Sequence, residues 1–84
     1  MKIAYHPKFI RQYNKLPQDL KIEIKEKIAL FEQNSLNPSL KNHKLHGRLR
    51  EFSSFSVNYA YRILYITKGN IVILSKIGTH DMYK

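Results

Sequence analysis

The sequence predicts an α+β fold, β-α-α-β-β-β, in which a helical hairpin packs on one face of a small twisted, mainly antiparallel sheet. Three observations carry that expectation. Apolar residues recur at helical spacing from Phe9 to Phe31, β-branched and aromatic residues crowd 59–66 and 71–74, and a Gly-Asn pair separates those two runs.

Lys2 to Tyr5 reads as a short strand closed by His6-Pro7, because the residue before a proline avoids the helical region and proline suits a first helical turn. Phe9, Tyr13 and Leu16 follow at i, i+4 and i+7, one face of a helix. Pro17 breaks that pattern and restarts it: Leu20, Ile24, Ile28 and Phe31 share a narrow arc, with Ile22 and Leu30 off it, so a second helix is expected from about Pro17 to Asn34. Asp19 in its first turn and the Glu23/Lys27 pair look structural, each worth about a few tenths of a kcal/mol. With almost no loop between them, the helices should form an antiparallel hairpin whose apolar stripe needs a sheet to cover.

Asn34 to Pro38 is rich in turn formers, and Ser39 to Gly47 is a polar, basic connection without a clear period. From Arg50 to Asn58 the chain alternates, with Leu49, Ser53, Phe55, Val57 and Tyr59 in one register and Arg50, Phe52, Ser54, Ser56 and Asn58 in the other. A half-buried strand is expected there. It should pair with 59–66, and that run with 71–76, as an antiparallel meander turning through Thr67-Lys68-Gly69-Asn70. Arg62 interrupts the central run, sharing a face with Leu64 and Ile66 while Tyr61, Ile63 and Tyr65 take the other. A charge there must reach water or a partner. The segment 76–84 should leave the last strand through Gly78 and set His80, Asp81 and Tyr83 beside the end of the hairpin, near Arg62.

At 84 residues the chain reads as one domain, 1–84, and the absence of cysteine rules out a disulfide or a thiolate metal site. The first residues lack the apolar stretch of a signal peptide and no run is long enough to span a bilayer, so a cytoplasmic protein without a membrane partner is expected. A net charge of +9 points to a polyanionic partner. That charge is uneven: residues 1–36 carry seven basic and four acidic side chains, whereas 37–84 carry eight basic ones against only Glu51 and Asp81. Lys41, Lys44, Arg48 and Arg50 lie among His43 and His46, a concentration of charge that suits a nucleic-acid partner, although a solvated basic face would look the same.

Metal-free RNA cleavage needs a base for the 2′-hydroxyl, an acid for the leaving 5′-oxygen, and a cation for the charge building on the phosphate between them. Histidine suits the first two tasks and arginine the third. His43, His80 and Arg62 could supply the set. Taken singly, His43 and His46 could be solvated loop residues, His80 a packing residue, and Arg62 a partner of Asp81 or Glu51. Jointly, they favour a site. His43-x-x-His46 with His80 could instead bind zinc, but a fourth acidic or thiolate ligand is wanting, so neither metal nor cofactor is expected. No phosphate-cradling Gly-rich loop, Gly-x-Ser-x-Gly or cysteine nucleophile is present, which leaves nucleotide hydrolysis and acyl chemistry unsupported. Tyr59, Tyr61 and Tyr65 read as core or cross-strand packers, whereas Tyr83, beside His80, could stack on a base.

Leu40-Lys41-Asn42-His43-Lys44-Leu45-His46-Gly47, Val57-Asn58-Tyr59-Ala60-Tyr61-Arg62-Ile63-Leu64-Tyr65 and Ile77-Gly78-Thr79-His80-Asp81-Met82-Tyr83 together resemble the RelE/ParE superfamily of bacterial toxins, most closely its YafQ-like branch. The resemblance extends over essentially the whole chain, including the Leu16-Pro17 joint, and Gly-Thr-His-Asp-x-Tyr is its most specific part. It implies a toxin of a type II toxin–antitoxin pair, neutralised by a cognate antitoxin, that enters the ribosomal A site and cuts mRNA to leave a 2′,3′-cyclic phosphate. In that frame His43 matches the proposed general base, His80 the proposed general acid, Arg62 the phosphate-binding strand arginine and, more loosely, Tyr83 an aromatic near this end. Lys41, Lys44, Arg48 and Arg50 would meet ribosomal or messenger RNA backbone. Ser56 and Ala60 stand where close relatives place a second histidine and an aspartate, and the strand from Phe52 to Val57 lacks the lysines RelE uses, which leaves His46 to take a redistributed role. ParE-like relatives instead poison DNA gyrase without cutting, a reading the paired histidines argue against, and a non-catalytic basic RNA-binding domain is the remaining alternative.

Overall fold

The computed structural model describes residues 1–83. Two helices pack on a five-stranded mixed sheet in an α+β arrangement, with strands β1 (Lys2–Tyr5), β2 (His43–Lys44), β3 (Ser53–Ser56), β4 (Tyr61–Lys68) and β5 (Ile71–Thr79) and helices α1 (Pro7–Asn14) and α2 (Gln18–Gln33). The spatial order is β1-β5-β4-β3-β2; β1 runs parallel to β5 and every other pairing is antiparallel.

The helices begin and end where local chemistry dictates. His6 holds an extended backbone and its Nδ1 accepts from the Lys8 N–H at 3.0 Å, with Pro7 in the first turn of α1. Pro17 opens α2, whose Ile24 and Phe31 are buried, while Ile22 is exposed as its place off the stripe requires. Leu30, also off the stripe, is nonetheless partly buried against the core. Phe31 stacks on Phe55 of β3 with ring centroids 4.4 Å apart and meets the edge of Tyr65 at 5.0 Å. Around them Phe9, Ile24, Val57, Ile63, Val72, Leu74 and Ile77 close the core between helices and sheet.

Several boundaries depart from the sequence-based expectation. The expected strand from Arg50 shortens to Ser53–Ser56, because Gly47–Leu49 curls into a one-turn 3-10 helix at a glycine with φ +66°. The basic connection contains a strand of its own: His43-Lys44 pairs with Ser54-Ser53 at the sheet edge. The hairpin turn is only Gly69-Asn70, and Gly69 has the positive φ (+58°) that suits a two-residue turn between twisted strands. β5 continues through Gly78 to Thr79 rather than ending before it.

β5 also slips its register. Leu64 pairs with Lys76 but Tyr65 pairs with Leu74, so Ser75 is an extra residue. The bulge puts Val72, Leu74 and Ile77 on the helix side and turns Lys76 outward, where its Nζ lies 5.3 Å from the centre of the Phe52 ring. Beyond Leu74, where β1 gives way to α1, the Ile77 N–H donates to Gln12 Oε1 of α1 at 2.8 Å.

Candidate functional site

The sheet face opposite the helices carries the polar residues in two rows. Pairing places His43, Ser54, Leu64 and Lys76 side by side in one row, and Ser56, Arg62 and Gly78 in the next. About 10 Å of sheet separates β2 from β4. Leu64 is fully buried although it faces away from the main core, an exception to the expected polar face.

After Thr79 the chain turns through a 3-10 helix, His80–Tyr83, back over this face. Gly78 permits it: a Cβ there would stand 3.3 Å from Met82 Cγ and Sδ. Tyr83 Oη and Ser54 Oγ share a hydrogen bond at 2.6 Å, the Tyr83 ring centre is 5.9 Å from that of His80, and Arg48 Nη2 donates to the Tyr83 carbonyl at 3.2 Å. His80 therefore lies near Arg62, as expected, with Arg62 Nη2 3.2 Å from His80 Nε2. The Gly78→Val variant should push Met82 away and free this turn, whereas Gly78→Ala should be absorbed by the flexible methionine. Hydrogen–deuterium exchange would register the first as faster exchange across 79–83 with β4 unchanged.

Arg62 is fixed from its other end. Its Nη1 donates to the carbonyls of Asn58 (2.6 Å), Tyr61 (3.0 Å) and Tyr59 (3.2 Å), neutral acceptors that orient the guanidinium without cancelling its charge. Those carbonyls belong to the β3–β4 turn, which Asn58 organises: its Oδ1 accepts from the Ala60 and Tyr61 N–H groups at 2.9 and 2.8 Å, and its Nδ2 donates to Glu23 Oε1 of α2 at 2.7 Å.

The hydrogen-bond partners assign the same Nδ1–H tautomer to both histidines. A carbonyl can only accept, so His43 Nδ1, 2.8 Å from the Lys41 oxygen, is the protonated nitrogen of the neutral ring and Nε2 keeps its lone pair. A guanidinium can only donate, so His80 Nε2 is the acceptor facing Arg62. Arg62 and His80 line an open groove of about 870 Å³, together with Lys27, Lys41, Ser56, Tyr59 and Asp81.

The remaining expected residues are dispersed. His46 is exposed before the Gly47 turn, and neither it nor His43 lines this groove, although His43 shares the sheet face with Arg62. Lys44 Nζ donates to the Arg50 carbonyl and Arg50 Nη1 to that of Gly47 at 3.3 Å, so with Arg48 these side chains brace the 47–50 turn. Tyr59 departs most clearly from expectation: it is 95% exposed and packs in no core. Asn58, Ser54 and Lys27 were not legible as site residues, because only the fold brings them to the arginine and the tyrosine. Among the described residues no three His, Asp or Glu side chains gather as a metal ion would require.

This architecture has close counterparts among solved structures. The fold matches YafQ from E. coli strain BL21(DE3) with a TM-score of 0.77 at 18% identity, covering 98% of this chain and 96% of that one. It matches a YoeB/ParE toxin from Agrobacterium tumefaciens equally well, with a TM-score of 0.77 at 15% identity over 95% and 99% of the two chains. The toxin of the E. coli DinJ-YafQ complex superposes with a TM-score of 0.70 at 18% identity, over 96% of this chain and 94% of that chain. No curated protein matches the chain in sequence. The fold is thus one that solved YafQ and YoeB/ParE toxins share. Residues 1–83 match the family described as the bacterial toxin of type II toxin–antitoxin system, YafQ, and the chain belongs to that family.

Proposed function

We propose that this type II toxin is a metal-independent endoribonuclease that cuts mRNA in the ribosomal A site, and that a cognate antitoxin neutralises it. The observation that supports this most is the Arg62–His80 contact on the wall of an open groove, on the same sheet face as His43. His43 Nε2 takes the 2′-hydroxyl proton, the 2′-oxygen attacks the adjacent phosphorus, and the bond from phosphorus to the 5′-oxygen breaks. His80 Nε2, having taken up a proton from solvent once Arg62 turns to the phosphate, gives that proton to the leaving oxygen, so the products are a 2′,3′-cyclic phosphate and a 5′-hydroxyl. Arg62 binds the phosphate oxygens and stabilises the charge gathered in the transition state.

Arg62 N–H now points at the nitrogen that would donate the proton. Insertion of a phosphate between the two side chains converts their contact into two separate contacts with substrate, so proton delivery is coupled to substrate entry. His46 has no part in this scheme. Lys41 is the basic residue best placed to meet the RNA backbone, while Lys44, Arg48 and Arg50 contribute charge from the braced turn. The DinJ-YafQ complex is the precedent for a protein partner.

Brief induction of the wild-type protein followed by transcriptome-wide mapping of RNA 5′ ends tests the reading. New 5′-hydroxyl ends confined to translated frames are expected. Growth arrest with intact messages and DNA-damage signalling would overturn it in favour of a gyrase poison.

A further inference from the structure

Single exposed aromatic residues are common on protein surfaces, so the 95% exposure of Tyr59 is not informative by itself. Its mounting is. The residue before it, Asn58, closes the turn through its own side chain and ties it to Glu23 of α2. Arg62 Nη1 donates to the carbonyl of Tyr59 and to that of Asn58. The backbone carrying the ring is therefore held by the same guanidinium that faces His80 across 3.2 Å. A flexible loop would spend its ordering entropy when a ligand arrived; this one is ordered beforehand.

The surroundings name the ligand class. Tyr59 lines the groove with Arg62 and His80, and the same groove holds Lys27 from α2 and Lys41, whose left-handed backbone (φ +49°) projects from the turn after Leu40. An exposed aromatic ring at a fixed offset from a guanidinium, with two further ammonium groups along the wall, has the composition of a nucleotide subsite: a π-face for the base and cations for the phosphates.

We propose that Tyr59 is a nucleobase platform, stacking a base of the A-site codon while Lys27 and Lys41 meet the adjoining phosphates. The assignment rests on the reading of this groove as the RNA-cleaving site and names how it grips its substrate. Every base has a π-face, so the platform fixes the position of the strand rather than its sequence. The hydroxyl is dispensable and the ring is not.

The test uses the full-length toxin and 70S ribosomes programmed with a message carrying 2-aminopurine at each A-site codon position in turn, its 2′-hydroxyls methylated to block cleavage. Wild type and Tyr59→Phe should quench the fluorescence at one position, and Tyr59→Ala should not. On unmodified message, Tyr59→Ala should cut on the order of tenfold to a hundredfold more slowly, with Tyr59→Phe within about twofold of wild type. Equal quenching by all three proteins, or by none, would overturn the proposal. So would a Tyr59→Ala protein that quenches normally and loses only antitoxin binding, since the ring would then be a protein contact. Tyrosine-dependent quenching by a wild type that cuts nothing would uphold the platform while removing the nuclease reading.

Discussion

Replacing His80 with glutamine should slow message cleavage by about 10²- to 10⁴-fold, the range that one positioned acid–base group contributes. Glutamine is close in reach, and its side-chain oxygen can accept from Arg62 as the imidazole nitrogen does, so the pair survives as geometry. The turn should survive too, because the Ser54–Tyr83 hydrogen bond and the seating of Met82 over Gly78 do not involve the imidazole. Only the nitrogen able to take up and deliver a proton is lost. Arg62 keeps its three carbonyl anchors and still binds phosphate, which places the loss in the chemical step rather than in substrate affinity. Single-turnover cleavage with toxin in excess separates the two, alongside a melting curve within a few degrees of wild type. Wild-type rates in this variant would remove His80 from the proposed chemistry.

Phe31→Ala should cost about 3–5 kcal/mol. The ring is 1% exposed, stacks on Phe55 and meets the edge of Tyr65, so it joins α2 to both β3 and β4. Small domains hold a total of about 5–15 kcal/mol, and an 84-residue chain without disulfides belongs near the lower end. Truncating one ring thus removes most of the margin. Urea unfolding followed by circular dichroism should show the folded baseline shortened or gone, while Ile22→Ala, on the exposed side of the same helix, should stay within about 0.5 kcal/mol of wild type. A Phe31→Ala protein unfolding within 1 kcal/mol, about the effect of a mild surface change, would contradict the packing described.

What could be read in advance was whatever repeats. Phe9, Ile24 and Phe31 announce helices through spacing, and 59–66 and 71–74 announce strands through density, although β4 itself runs from Tyr61 to Lys68. The position of His80 beside Arg62 was also legible, since Arg62 pairs with Gly78 and His80 follows two residues later. Features built from one or two residues left no period. β2 is two residues long, and its pairing depends on a strand edge ten residues away. The bulge at Ser75 exists because Lys76 cannot face the core while Ile77 can, a choice made only when β5 meets β4. Tyr59 has the composition of a strand residue, yet Asn58 captures the following N–H groups for a turn and leaves the ring outside. Arg48, expected at the RNA surface from its charge, also holds the Tyr83 carbonyl, a partner 35 residues away that its local sequence does not announce.

β5, the last strand in chain order, lies between β1 and β4 inside the sheet. During synthesis, everything made before residue 71 is therefore a set of unmatched pieces: a solitary β1, a three-strand fragment, and helices with half a surface to rest on. Cooperative folding has to wait for the strand that joins them, and His80 emerges directly behind it. A nascent or prematurely ended chain then has neither this fold nor the Arg62–His80 contact, both of which exist only in the finished product.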